Sequence, residues 1–289
     1  SKDINPDILK HVAANYFEYK KANSLVDYSD MIHQFVNKSH LCPTFDVVFI
    51  DEAQDLSPIQ WMMYDILKAN TKDMYLAGDD DQAIYAWAGA DVDRFIKEPA
   101  TEVVLKKSRR VPKKVQDISN IIVNRIEGLR ADKTYYPREE DGSCVKINNL
   151  DNVDLTKDNW LILTRTRSKS VQIAKELKQR GIFFESKFFK SLNIKLHKAA
   201  VYYSRWSEGQ QLNENEVDDV EDYMSDNNWN ELVPWFEAFD KANLEDKNYI
   251  RLLLSNKEKL SESPRVKVST IHAAKGGESD NVLLVFFFF

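Results

Sequence analysis

Two adjacent carboxylates, Asp51 and Glu52, follow a short apolar run, Val47 to Ile50. Carboxylates are hard oxygen ligands suited to magnesium, which keeps several waters and takes one or two protein acids. Neighbouring positions aim the two acids differently, so one suits a metal ion and the other a water that attacks phosphorus. A second polar cluster, GDDDQAIYAWAGAD, runs from Gly78 to Asp91 after the apolar run Met74 to Ala77. The amide of Gln82 can bond a phosphate or a positioned water. Tyr85 and Trp87 stand one residue apart among small neighbours, where aromatic faces stack bases at about 1–3 kcal/mol each. Packing of Trp87 into a core is an equal alternative. Arg109 and Arg110 lie in LKKSRRVP. An arginine delivered to a γ-phosphate changes rates by orders of magnitude, and a solvated basic turn is the plainer alternative. A fourth cluster, STIHAAKGGESD from Ser269, brings Thr270 and His272 to a turn with Lys275, Gly276 and Gly277. Hydroxyl, imidazole and backbone N–H groups on such a turn hold phosphates.

The elements around these clusters follow from periodicity. Val47 to Ile50, rich in β-branched residues and bounded by polar ones, reads as a buried strand of a parallel sheet. In open α/β sheets ligands bind at the carboxyl ends of strands, where the two acids lie. Ser57 and Pro58 are an N-cap and a helix-starting proline. The helix then carries Ile59, Met62, Met63, Ile66 and Leu67 on one stripe. Residues 5 to 37 read as helices, Met74 to Ala77 and Glu102 to Leu105 as strands, and Val111 to Ile126 as an amphipathic helix. The pattern restarts with strands at Cys144 to Ile147 and Trp160 to Thr164. A helix over Ser168 to Gln179 closes at Gly181, a common C-terminal stop. Strands follow at Ile182 to Glu185, Val266 to Ile271 and from Val282 onward. Between them, residues from about 193 to 262 are acidic and helical, with Trp206, Trp229 and Trp235. The run NENEVDDVEDYMSD from Asn213 reads as a solvated helix face or linker. Strands alternating with helices predict α/β architecture with two parallel sheets and a helical insertion inside the second.

The chain has 289 residues, enough for about two domains. Hydrophobic residues make up 43%, which excludes wholesale disorder. Lys plus Arg is 40 against 46 for Asp plus Glu, a net charge of -6. That balance argues against a basic coat for nucleic acid but not against a local cleft. Two cysteines, Cys42 and Cys144, are too few for a disulfide framework and point to a reducing compartment. The N-terminal residues have no apolar core, and the longest apolar run, Val282 to Phe289, falls short of the ~20 residues that span a bilayer. A cytoplasmic, nucleoid or viral-replication location is therefore expected, neither secreted nor membrane-bound. The missing initial Met and the terminal VLLVFFFF read as cut ends. None of the eight glycines is followed by lysine, so GxxxxGK[ST] does not occur.

In order and spacing the four clusters resemble superfamily 1 DNA helicases of the UvrD/Rep type. DEAQD resembles that family's motif II, GDDDQAIYAWAGA its motif III, LKKSRRVP its motif IV and TIHAAKGGE its motif V. Weaker likenesses lie in VDYSDMI near Tyr28 and in ILTRTRSKSVQIAKELKQRGI from Ile162. The resemblance implies two RecA-like motor domains, the first partial (residues 1–104) and the second spanning 105–289, with an accessory insertion at about 193–262. It implies ATP and Mg2+ as cofactors, single-stranded DNA and DNA junctions as partners, in repair or replication, and 3′–5′ translocation. By the same resemblance Asp51 coordinates magnesium, Glu52 is the general base, Gln82 senses the γ-phosphate and Arg110 is the arginine finger. Arg109, where the family usually has an adenine-stacking tyrosine, and Gly276 and Glu278 contact the nucleotide. Tyr85 and Trp87 stack on bases, while Thr270 and His272 touch the strand's backbone. Ala88 and Gly277 depart from common motif III and motif V residues. The family's motifs I and VI are absent, so a fragment is expected that does not hydrolyse ATP alone. Two other readings fit the residues. One is a degenerate helicase relative that only binds nucleic acid or a partner. The other is a metal-dependent nuclease using Asp51, Glu52 and Asp79 to Asp81.

Overall fold

The structure is a computed structural model that describes residues 5–128, 130–226 and 229–286. The chain divides into two compact units between Lys146 and Ile147. Phe287 to Phe289 of the terminal aromatic run lie outside the described residues.

The first unit opens with helix α1 (Pro6–Ala22), started by Asn5, whose side chain accepts the Asp7 N–H, and by Pro6. Helix α2 (Tyr28–Asn37) begins in a reciprocal capping box between Asp27 and Asp30. The same two carboxylates receive the ammonium of the buried Lys20, at 2.8 and 2.7 Å. A buried lysine is tolerated because it is paired. Strand β1 (Phe45–Ile50), helix α3 (Pro58–Ala69) and strand β2 (Thr71–Leu76) then form a βαβ unit. The strands pair in parallel from Phe45 opposite Thr71 to Ile50 opposite Leu76. Helix α3 starts at Ser57, whose N–H donates to the Gln60 side chain at 2.8 Å, and buries Trp61 and Tyr64. Helix α4 (Val92–Lys97) lays the Arg94 guanidinium over the Trp61 ring, 4.8 Å from its centre. Helix α5 (Lys113–Val123) follows.

Glu102 to Leu105 is not a strand. Val103 and Leu105 are 78% and 83% exposed, and the nearest ladder contact is an isolated bridge from Lys107 to Tyr136. A β-branched run becomes a strand only where a partner edge accepts it. The same holds for Cys144 to Ile147, which is irregular, with Val145 exposed. Residues 105–146 group with the first unit.

The second unit contains β3 (Trp160–Thr164), α6 (Arg167–Gln179), β4 (Phe184–Ser186), α7 (Ile194–Ser207), α8 (Glu214–Glu221), α9 (Trp235–Ala238), α10 (Leu244–Ser255), β5 (Val266–Thr270) and β6 (Asn281–Val285). Its four strands are all parallel, in the order β4-β5-β3-β6. Ile162, Phe184, Val266 and Val268 of the sheet join Leu177, Leu196, Tyr203, Tyr249 and Leu253 of the helices in one core. The helices between β4 and β5 thus share the sheet's core. The acidic run forms α8, solvated on one side while its Val220 is fully buried. Trp229 stacks on Tyr203 with ring centres 5.8 Å apart. The turn after α6 needs glycine. Gly181 has φ +63°, and a Cβ there would lie 2.6 Å from Leu252 Cβ. Among the described residues no helix is long and apolar enough to cross a membrane.

Candidate active site

At the carboxyl ends of β1 and β2 the backbone knits the two clusters together. Ala77 N–H donates to Ile50 O at 2.8 Å, and Ala53 N–H returns the bond to Ala77 O at 2.9 Å. Between these bonds the chain turns sharply. Glu52 adopts the left-handed conformation, φ 54° and ψ 39°, which is uncommon for a residue with a side chain. Asp51 and Glu52 both emerge exposed. The Asp51 carboxylate accepts the Glu52 N–H at 2.9 Å.

The residue that joins the acids to the neighbouring loop is Gln54, which is fully buried. Its amide Nε2 donates to Glu52 Oε2 at 2.5 Å, and its Oε1 accepts the Asp79 N–H at 3.0 Å. One side chain therefore fixes both the second acid and the start of the GDDDQ loop. Gly78 makes room for it, because a Cβ there would lie 2.6 Å from Gln54 Oε1 and 2.8 Å from the Phe95 ring. Gln54 went unnoticed in the sequence because a glutamine between acids looks like solvated loop. Its only signal was the small, helix-breaking Gly78 at the facing strand end.

Asp79 to Gln82 form a tight turn. Asp79 Oδ1 accepts the Asp81 N–H at 3.2 Å, and Asp79 Oδ2 accepts the Gln82 amide at 2.6 Å. The three aspartates are held by residues from beyond α5. Lys133, only 5% exposed at its side chain, pairs with Asp79 at 2.6 Å, with Asp80, and with Asp81 at 3.4 Å. Arg130 grips Asp81 through two nitrogens at 2.6 and 2.9 Å. Burial pushes the Asp81 carboxyl up, but Arg130 and Lys133 outweigh it and hold the group below the usual carboxylate range. Burial likewise pulls the Lys133 ammonium down, and Asp79 and Asp80 more than reverse this. These aspartates are therefore committed to cations of the protein itself.

Tyr85 and Trp87 lie on the same loop. Trp87 is 74% exposed, so it is not a core residue. Tyr85 lines a cavity of about 410 Å³ with Tyr28, Ile32, Asp55, Gln60 and Ala88. Arg109 and Arg110 are exposed on the segment before α5, where Ser108 Oγ accepts the Val111 N–H at 3.0 Å. In the second unit, β5 delivers Thr270, 8% exposed, whose hydroxyl accepts the Ala273 N–H at 3.3 Å. His272 begins a single helical turn, Gly276 takes φ +79°, and Glu278 is exposed. The structure thus brings Asp51, Glu52 and Gln82 to one strand edge with Tyr85 and Trp87 on the adjoining loop. Thr270, His272, Gly276 and Glu278 form a separate group at the end of β5.

The donor set suits magnesium and a phosphate. Asp51 and Glu52 are hard oxygen ligands at a strand end, exposed, and the second acid accepts a hydrogen bond from the Gln54 amide.

Residues 2–101 match the profile of the UvrD/REP helicase N-terminal domain. The chain is 27% identical over 163 residues to a probable DNA helicase II homolog of Mycoplasma capricolum, covering 49% of this chain and 22% of the relative. It is 25% identical over 199 residues to the ATP-dependent DNA helicase PcrA of Leuconostoc citreum, covering 57% and 27%. It is 29% identical over 144 residues to DNA helicase II of Escherichia coli, covering 44% and 20%. The chain therefore spans about a quarter of the length of these curated relatives.

Proposed function

We infer, from the premise that this chain is a relative of the UvrD-type DNA helicases, that it forms part of an ATP-driven motor on single-stranded DNA. The observation that carries the reading is the buried Gln54 amide, which ties Glu52 to the loop of Gln82 at one strand edge. In a binding module neither group needs the other.

Magnesium-bound ATP, when present, supplies a γ-phosphoryl group polarised for attack by water. Asp51 would hold the metal through water. Glu52, held by Gln54, would take the proton of the attacking water. Gln82, presented by its turn, would bond the γ-phosphate or the water. Arg110 adds positive charge to the transferring group, while Arg109 stacks on the base through its planar guanidinium. In this reading Gly276 and Glu278 are assigned to nucleotide binding by the family resemblance alone. Trp87 and Tyr85 stack on bases of the strand, and Thr270 and His272 touch its phosphates. Translocation runs 3′ to 5′, and the reading extends to DNA junctions as substrates. It divides the chain into two RecA-like motor domains at 104/105, with about 193–262 as an accessory insertion, although residues 105–146 pack within the first compact unit. Because the 289 residues hold no phosphate-cradling GxxxxGK[ST], they do not turn over ATP unaided.

The test is Glu52→Gln in the polypeptide that carries this chain. DNA-stimulated ATP hydrolysis is expected to fall by about 10²–10⁴-fold, the usual worth of a positioned base, with nucleotide binding retained. Hydrolysis at the parent rate in that variant sinks the reading. Single-strand binding without hydrolysis in the parent protein indicates a binding module instead.

A further inference from the structure

We propose that Lys133 and Arg130 are positioning residues for Gln82, holding the three-aspartate turn in the shape that presents its amide. This deepens the proposed function and rests on it for the consequence in turnover.

Three successive carboxylates on one tight turn repel one another, and they would also repel an anionic polyphosphate brought to Gln82. The fold answers this with residues about 50 positions away. Lys133 reaches all three aspartates from a side chain that is 5% exposed. Arg130 takes both oxygens of Asp81 in a fork, the geometry its guanidinium matches best. The backbone joins in, since Ala131 N–H donates to Asp80 Oδ2 at 3.0 Å. Tyr135 stands beside the ammonium, its ring centre 5.9 Å from Lys133 Nζ.

The link to Gln82 runs through one carboxylate. Asp79 uses Oδ1 for Lys133 and Oδ2 for the Gln82 amide, while its own N–H is held by Gln54. A continuous chain therefore passes from Lys133 through Asp79 to Gln82, and from Asp79 through Gln54 to Glu52. The donors of the buried Lys133 ammonium are spent on the turn. Truncating it leaves three buried or half-buried carboxylates with one cation among them, and the turn must open to hydrate them.

The experiment has two arms. In the 289-residue chain, amide hydrogen exchange is followed for residues 79–83 and for β3 as an internal reference. Lys133→Met is expected to speed exchange of the turn by about tenfold or more while β3 is unchanged, and Lys133→Arg to restore most of the protection. Unaltered exchange of the turn in Lys133→Met overturns the proposal, as does equal loss across the whole first unit. In the polypeptide that carries the chain, Lys133→Met and Asp79→Asn are expected to lower kcat about tenfold or more with KM for ATP within about twofold. A thermal loss with kcat per folded molecule unchanged also overturns it. If the parent protein shows no ATP hydrolysis while the exchange arm behaves as expected, the clamp stands and the motor reading falls.

Discussion

In the first unit, β1 and β2 turn Phe49 and Tyr75 to solvent, 75% and 54% exposed and stacked on each other at 4.9 Å. In the second, β3, β4 and β5 bury Ile162, Phe184, Val266 and Val268 almost completely. Parallel strands usually have both faces covered, and only the second sheet approaches that. The first unit compensates with charge. Lys20 bridges α1 to α2 through Asp27 and Asp30, Glu98 ties Tyr64 and Lys68, and Lys133 gathers the aspartate turn. The unit with the thinner apolar core carries the acids and the amide of the candidate site. Polar clusters at strand ends need room and solvent, and ion pairs fix them where a dense core would exclude them.

That contrast can be broken in three ways, taken in order of expected effect. Phe184→Ala removes a fully buried ring from β4 and should cost about 3–5 kcal/mol. Denaturant unfolding followed by site-resolved hydrogen exchange should show the loss in residues 147–286, with β1 and β2 unaffected. Equal loss in both units would show that they share one source of stability. Gly78→Ala should cost about 1–3 kcal/mol in the first unit, because the added Cβ collides with Gln54 and Phe95. Its signature is faster exchange at the Asp79 amide; a change confined to the second unit contradicts the packing described. The smallest effect is acid sensitivity. Asp27, Asp30 and Asp81 sit below the usual carboxylate range, mainly through Lys20 for the first two and Arg130 against burial for the third. A carboxyl depressed in the folded state stabilises above its unfolded value, about 3.9, and that contribution is lost as pH falls through the folded value. Melting of the first unit followed from pH 5 down to pH 2 should therefore show a progressive loss that Lys20→Met reduces. An acid response unchanged in that variant would mean that the Lys20 pairs contribute little.

Much of this was legible in the sequence where neighbours in the chain are neighbours in space. The ends of β1 and β2, the Ser57–Pro58 start of α3, α6 with its stop at Gly181, and the turn after β5 all follow from local pattern. The matching profile over residues 2–101 supports the likeness first seen in DEAQD and GDDDQ. What stayed hidden depends on partners far along the chain. Glu102 to Leu105 has a strand's composition but no accepting edge. Lys133 and Arg130 lie in a polar stretch with no periodicity, about 50 residues from the aspartates they hold. Val220 and the tryptophans of residues 193–262 were masked by surrounding acids, although they reach the same core as the sheet.

The left-handed backbone of Glu52 has a consequence for how this position evolves. A side chain in that conformation carries a penalty of roughly 1–2 kcal/mol, and glycine avoids it. Selection for expression or heat tolerance alone should therefore drive codon 52 toward glycine. Selection for the proposed turnover should keep the acid. Libraries of this gene sorted by the two criteria would diverge first at that codon.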